Sequence, residues 1–287
     1  MPDSPIKITE CPRDAMQGLH EFVPTDIKAA YINLLLQVGF DTIDFGSFVT
    51  PKAIPQLRDT AEVLSKLDLS STRSKLLAII ANYRGAEDAA AHGEITFLGY
   101  PFSISETFQL RNTNTTIEQA FDNVKRINEL CVAKDKSLLI YLSMGFGNPY
   151  GDEWNTEIVQ HWAQKMIDEG IGYIALSDTI GIATPEQISS LYPALTKLSE
   201  ITSFGLHLHS TPDTWQEKVA AAYEAGCTRF DAALKGYGGC PMAKDELTGN
   251  IATENLIAYL LHQNSDLGLD LDKLGEAMEY SGRVFGE

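Results

Sequence analysis

The stretch F-G-L-H-L-H-S-T-P-D, residues 204–213, reads as a strand running into a helix start. Thr211-Pro212 offers a helix cap followed by proline at the first helical position. Residues two apart on a strand share a face, so His207 and His209 look one way and Leu208 the other. The fold then depends on whether this strand-to-helix unit repeats.

It recurs along the chain. Short apolar runs rich in β-branched residues stand at 6–10, 40–45, 75–80, 95–99, 138–143, 172–177, 204–209 and 229–234. Helical patterns follow each of them. A helix capped by Thr25 is expected after Pro24, and Thr184-Pro185 marks another start. From Thr116 on, apolar residues at 117, 120, 121, 124 and 127 keep to one helix face. Glycines in V-G-F (38–40), E-G-I-G (169–172) and A-G-C (225–227) read as helix stops. Eight such units in 287 residues predict an α/β fold, a (β/α)8 TIM barrel. We expect one catalytic domain over 1–287, with the barrel over roughly 5–265 and an added helix over roughly 270–285. An open doubly wound sheet would normally carry G-x-G-x-x-G after its first strand, and none is present.

The net charge of −17 argues against nucleic acid or an anionic membrane as partner. A small anionic substrate needs only a few local cations and stays open. Cys11, Cys131, Cys227 and Cys240 form no C-x-x-C pair, the N-terminus shows no apolar signal core, and no stretch reaches transmembrane length. A cytoplasmic protein with reduced thiols is the expectation.

Barrels of this kind place their chemistry at the C-terminal ends of the strands. The candidates there are Arg13, Asp14 and Gln17 after the first strand, and Asp44, Ser47 and Lys52 at and after the second. Arg111 follows the fourth and Asp178 the sixth; His207 and His209 end the seventh; Cys240 and Asn250 lie in the last long turn. Taken singly, each has an ordinary reading. Asp178 suits a cap, Arg13-Asp14 a surface pair, Cys240 an inert small residue. The paired imidazoles are more specific. With Asp14 they make a two-histidine, one-carboxylate set, to which Asn250 can add an amide oxygen. Such a mixed N/O set suits Mg²⁺ or Mn²⁺ better than a closed thiolate zinc site.

The chain resembles the 3-hydroxy-3-methylglutaryl-CoA (HMG-CoA) lyases. The matching stretches are P-R-D-A-M-Q (12–17), F-G-S-F-V-T-P-K-A-I-P-Q (45–56), S-D-T-I-G (177–181), H-L-H (207–209), and G-G-C-P with T-G-N-I-A-T-E (238–254). The resemblance implies a cation held by Asp14, His207, His209 and Asn250. It implies a catalytic Arg13, a mobile-loop Cys240, and Gln17, Asp44, Asp178 and Glu254 lining or bracing the site. The implied reaction is a reverse Claisen cleavage of HMG-CoA to acetyl-CoA and acetoacetate, with Asp14 or His207 as base. An acyl-CoA is the implied partner, and pairing of outer helices into a homodimer is a further expectation.

The chain departs from the family pattern at Cys11 (usually Gly), Gly18-Leu19-His20 (usually Asn-Glu-Lys), Asn148 (usually Cys) and Ser210 (usually Asp). These changes keep an alternative open: a related lyase or aldolase for another branched 3-hydroxyacyl-CoA or a 4-hydroxy-2-oxo acid. A condensing enzyme is less expected, because such enzymes often carry further C-terminal domains. A non-catalytic barrel would require a degraded constellation, and this one is intact.

Overall fold

A computed structural model describes residues 5–239 and 248–286. The chain alternates strand and helix: β1 (Lys7–Glu10), α1 (Pro12–Gln17), α2 (Thr25–Val38), β2 (Thr42–Ser47), α3 (Thr60–Leu64), β3 (Lys75–Ile79) and α4 (Tyr83–Ala90). It continues through β4 (Ile95–Ser103), α5 (Glu106–Thr113), α6 (Ile117–Ala133), β5 (Ser137–Ser143), α7 (Thr156–Asp168), β6 (Tyr173–Ser177), α8 (Pro185–Thr196) and β7 (Ser203–His207). It ends with β8 (His209–Ser210), α9 (Trp215–Glu224), β9 (Arg229–Ala232), β10 (Gly249–Asn250), α10 (Thr253–His262) and α11 (Leu271–Phe285). Strands β1 to β7 and β9 close a parallel barrel in chain order, β9 returning to β1. This is the expected (β/α)8 TIM barrel.

Strand alternation builds two apolar layers. Leu77, Ile79, Phe97, Leu139, Tyr141 and Ala175 fill the barrel interior. Their neighbours Leu76, Ala78, Leu98, Leu138, Ile140 and Ile174 face outward into the larger core beneath the helices. Among the described residues, no helix is long and apolar enough to cross a membrane.

Local signals mostly hold. Gly39, Gly170 and Gly226 take positive φ at helix ends, as helix stops require. Thr116 and Thr184 form capping boxes with Gln119 and Gln187. Three expectations need correction. Thr25 does not cap α2; its hydroxyl donates to Asp59, and Pro24 occupies the cap position. Residues 211–214 form a turn in which the Thr211 amide donates to Thr214 Oγ1, so α9 starts at Trp215. Strand β4 runs on through Tyr100-Pro101 to Ser103, because Pro101 stays in register with Tyr141.

The expected seventh strand also splits. β7 ends at His207, and His209 begins the two-residue β8, which pairs antiparallel with β10 and sets Asn250 opposite His209. That bridge carries a residue distant in sequence to the barrel mouth.

Candidate active site

A cavity of about 420 Å³ opens at the C-terminal end of the barrel. Arg13, Asp14, Gln17, His207 and His209 line one side, and Val49, Ala53, Ile54, Ile79 and Phe108 the other. A second crevice, at the opposite end beside Lys7, Asp41 and Arg73, is remote from these groups.

The first side is built on α1. Pro12 starts this helix, and its 3.6-residue repeat brings Arg13 and Gln17 together. Arg13 Nη1 donates to Asp14 Oδ1 and to Gln17 Oε1, each at 2.9 Å. Arg13 Nε (3.0 Å) and Nη2 (2.6 Å) grip Asp44 Oδ2 on β2. A guanidinium has five N–H donors. These contacts use four, leaving one Nη2–H without a partner among the described residues. Burial pushes Asp44 up to about 6, with Arg13 limiting the rise, so it is ionised at neutral pH.

His207 and His209 converge as expected, with Nε2 atoms 3.2 Å apart. Asp14, His207 and His209 each offer one ligand atom, all within 4.8 Å of one another and buried. The far side of each ring is engaged. His207 Nδ1 lies 3.2 Å from Asp231 Oδ2, and His209 Nδ1 lies 3.1 Å from the Thr179 carbonyl. A carbonyl only accepts, so His209 Nδ1 carries the proton and Nε2 presents its lone pair. Burial, then the neighbouring His207, lowers His209 to about 4 and keeps it neutral. Burial opposes charge on His207 too, but Asp231 outweighs it and raises its pKa. Asp14 is resisted by burial, yet Arg13 and both histidines bring it down to about 2. Two imidazole nitrogens and an ionised carboxylate thus point at one spot, each backed by a hydrogen-bond partner. That donor set fits a divalent cation, and the arrangement behind it is what ligating histidines require.

The other predicted residues take different places. Asn250 joins the site through its amide nitrogen, which donates to Asp14 Oδ2 (2.7 Å) and to the Tyr237 carbonyl (2.8 Å). Its oxygen, the atom expected to face a cation, is therefore turned away from Asp14. Asp178 sits behind His209, accepting from Lys218 Nζ and from the Ala183 amide. Ser47 shapes the turn before Val49. Glu254 accepts from the Lys235 amide away from the cavity. Cys240 lies outside the described residues; Gly239, just before it, lines the cavity. A Cβ on Gly238 would meet the Asp14 carbonyl at 2.6 Å, so the root of that turn needs glycine to lie against α1.

Sequence reading missed Asp231, Thr179, Tyr141 and Lys218. Asp231 left a trace, an acid inside the otherwise apolar F-D-A-A-L. Tyr141 lines the cavity, stands edge-on to His207 at 5.6 Å, and its buried hydroxyl has no partner among the described residues. At the divergent positions, Asn148 folds the turn after β5, accepting from the Tyr150 and Asp152 amides. Asp152 in turn binds Thr107 at the start of α5. His20 is exposed, and Ser210 pairs with Gly249.

The HMGL-like family model matches residues 6–280. The chain belongs to the HMGL-like family. Mitochondrial hydroxymethylglutaryl-CoA lyase of Mus musculus is 32% identical over 278 residues, covering 96% of this chain and 84% of that protein. The crystal structure of HMG-CoA lyase from Bacillus subtilis superposes with a TM-score of 0.93 at 31% identity, covering 100% of this chain and 96% of the other. An HMG-CoA lyase from Acinetobacter baumannii, in complex with coenzyme A and 3-methylmalate, matches with a TM-score of 0.91 at 33% identity, covering 99% and 92%.

Proposed function

We propose that this HMGL-like protein is a divalent-metal-dependent carbon–carbon lyase that cleaves HMG-CoA to acetyl-CoA and acetoacetate, acting as one catalytic domain. The observation that carries the reading is the buried convergence of Asp14, His207 and His209 beside Arg13. Those three residues would hold the cation, Mg²⁺ or Mn²⁺ by the hardness of the set. Asn250 braces Asp14, and offering its own oxygen takes a rotation of the amide. When bound, the cation supplies Lewis acidity toward the substrate hydroxyl and a neighbouring substrate oxygen.

The remaining steps belong to the chain's residues. A histidine that gives Nε2 to a cation and Nδ1–H to Asp231 or Thr179 has no free lone pair. Asp14, whose Oδ1 accepts from Arg13 and Gln17 and whose Oδ2 accepts from Asn250, becomes the acceptor for the hydroxyl proton by giving up one of those contacts. The bond between the carbinol carbon and the thioester α-carbon then breaks. Its electrons move onto the thioester as an enolate, and the carbinol carbon becomes the ketone of acetoacetate. The remaining Nη2–H of Arg13 is the donor for the enolate oxygen. Cys240 would protonate the α-carbon, giving the acetyl methyl. That assignment is supported by the family resemblance and by the cavity position of Gly239.

The test is acetoacetate release from HMG-CoA by metal-stripped protein, with and without Mg²⁺ or Mn²⁺. Metal-dependent release is expected; none in either condition would remove HMG-CoA as the substrate. One observation favours a second reading, another branched 3-hydroxyacyl-CoA. Among the described cavity-lining residues Arg13 is the sole permanent cation, and most of its donors are committed. An acyl-CoA panel separates the two. A cytoplasmic setting accords with the unpaired buried thiols of Cys11, Cys131 and Cys227. For a homodimer, α11 offers the half-exposed Leu271.

A further inference from the structure

We infer that Lys218 is a positioning residue for His209: one buried ammonium fixes both the backbone and the ring orientation of a proposed metal ligand. The inference rests on the metal-site reading above and adds to it a residue outside the cavity.

Lys218 lies on α9 and is 2% exposed. A buried ammonium persists only when its charge is paired and its three protons are used. Nζ donates to Asp178 Oδ2 at 2.8 Å, to the Gly181 carbonyl at 2.9 Å and to the His209 carbonyl at 2.7 Å. Asp178 and Gly181 are the two ends of one turn, closed by the Gly181 amide on the Asp178 carbonyl. Thr179, whose carbonyl accepts from His209 Nδ1, lies between them. Gly181 has a φ of +74°, and a Cβ there would lie 3.7 Å from His209 Cβ, so the turn packs directly on the histidine.

Lys218 therefore grips His209 twice. It holds the residue's own carbonyl, and it holds both ends of the turn that presents the Nδ1 acceptor. Thr179 is also tied to the turn after β5, its hydroxyl accepting from the Met144 amide. With Nδ1–H fixed on the Thr179 carbonyl, Nε2 keeps its lone pair and its aim at His207 and Asp14. The network uses all three ammonium protons, and two go to main-chain carbonyls that a simple Lys218–Asp178 ion pair would not need. An ion pair with only a structural role would leave metal affinity untouched when replaced by a neutral pair.

The sign of the effect separates positioning from electrostatics. Lys218→Met makes the surroundings of the cation one unit more negative, and Coulomb attraction alone would tighten Mn²⁺ binding. Loss of positioning would weaken it. The double variant Lys218→Met/Asp178→Asn keeps the net charge and leaves no unpaired buried ion. It also carries the test should the single variant fail to fold.

Mn²⁺ affinity is read by the electron paramagnetic resonance of free Mn²⁺. Val219→Ala, a truncation of a buried neighbour on α9, serves as control for lost stability. We expect both Lys218 variants to bind Mn²⁺ about 10–100-fold more weakly, the usual range for groups that orient ligands. Val219→Ala should bind as wild type despite a lower Tm. Wild-type affinity in the double variant, or tighter binding by Lys218→Met, would overturn the inference. Should wild-type protein bind no Mn²⁺, the metal reading fails instead. The positioning claim is then read from the ring ¹⁵N shifts of His209. The Nδ1–H tautomer is expected in wild type and its loss in the double variant; an unchanged tautomer would overturn it.

Discussion

On one side of the cavity, every reactive group is held by another polar group behind it. Arg13 has Asp44 and Gln17, His207 has Asp231, His209 has the Thr179 carbonyl, and Asp14 has Asn250. Across the cavity, Val49, Ala53, Ile54, Ile79 and Phe108 carry no polar side-chain atom, and Asn112 and Thr113 join them from the end of α5. The first side fixes directions to fractions of an ångström, as catalysis requires. The apolar side chains of the second fix volume, and apolar contacts discriminate between substrates by no more than about 1–3 kcal/mol per methylene. The contrast explains why the type of reaction follows from this molecule more firmly than the acyl group it takes.

The largest expected effect lies on the polar side. Arg13→Met should lower kcat by about 10²–10³-fold, the usual loss for one oxyanion donor. Mn²⁺ affinity should fall by no more than about 10–100-fold, through the contact of Arg13 Nη1 with Asp14. An unchanged kcat would remove Arg13 as the enolate donor. Next, Asp231→Asn should weaken Mn²⁺ binding by about 10–100-fold, because the imidazole of His207 loses its charged partner. An unchanged affinity would reduce Asp231 to a packing residue.

Glu10 sharpens the comparison from beneath the mouth. It is fully buried, accepts hydrogen bonds from the Leu234 amide and the Thr253 hydroxyl, and burial pushes it up to about 8. The folded protein keeps a proton that the unfolded chain releases above 4.5. Its contribution to stability is fully present below 4.5 and lost as the pH rises through about 8. Glu10→Gln should remove that slope and stabilise the protein at pH 7, on the order of 3 kcal/mol. Urea unfolding at pH 5 and pH 8 measures it, and parallel curves for both proteins would contradict it. The smallest effect belongs to the apolar wall. Ile54→Ala should raise KM severalfold, with kcat and Mn²⁺ affinity near wild type. A collapse of kcat would show that the wall also aligns the reacting atoms.

How much of this could be read in the sequence follows the same division. Period-2 and period-3.6 patterns gave the barrel, because burial on one face leaves a mark in one dimension. Asp14, His207 and His209 stood out because a fold rule places them at one rim. What escaped depended on contacts between distant segments. His209 lies on a separate short strand only because β10 returns to pair with it. Lys218, within W-Q-E-K-V-A-A-A-Y-E, reads as a solvated helix residue until the Asp178 turn closes over it. The T-P-D-T turn looked like a helix start because the same residues serve both, and the Thr214 hydroxyl decided for the turn. Nothing local in Asn148 announces a side chain that folds its own loop.

The central claim is that Asp14, His207 and His209 form one divalent-cation site. The most direct test is Mn²⁺ binding to metal-stripped protein, counted by electron paramagnetic resonance in wild type and in His209→Ala. One ion per chain in wild type, lost in the variant with the fold intact by circular dichroism, is the predicted result. No bound ion in wild type, or equal binding in His209→Ala, would contradict it.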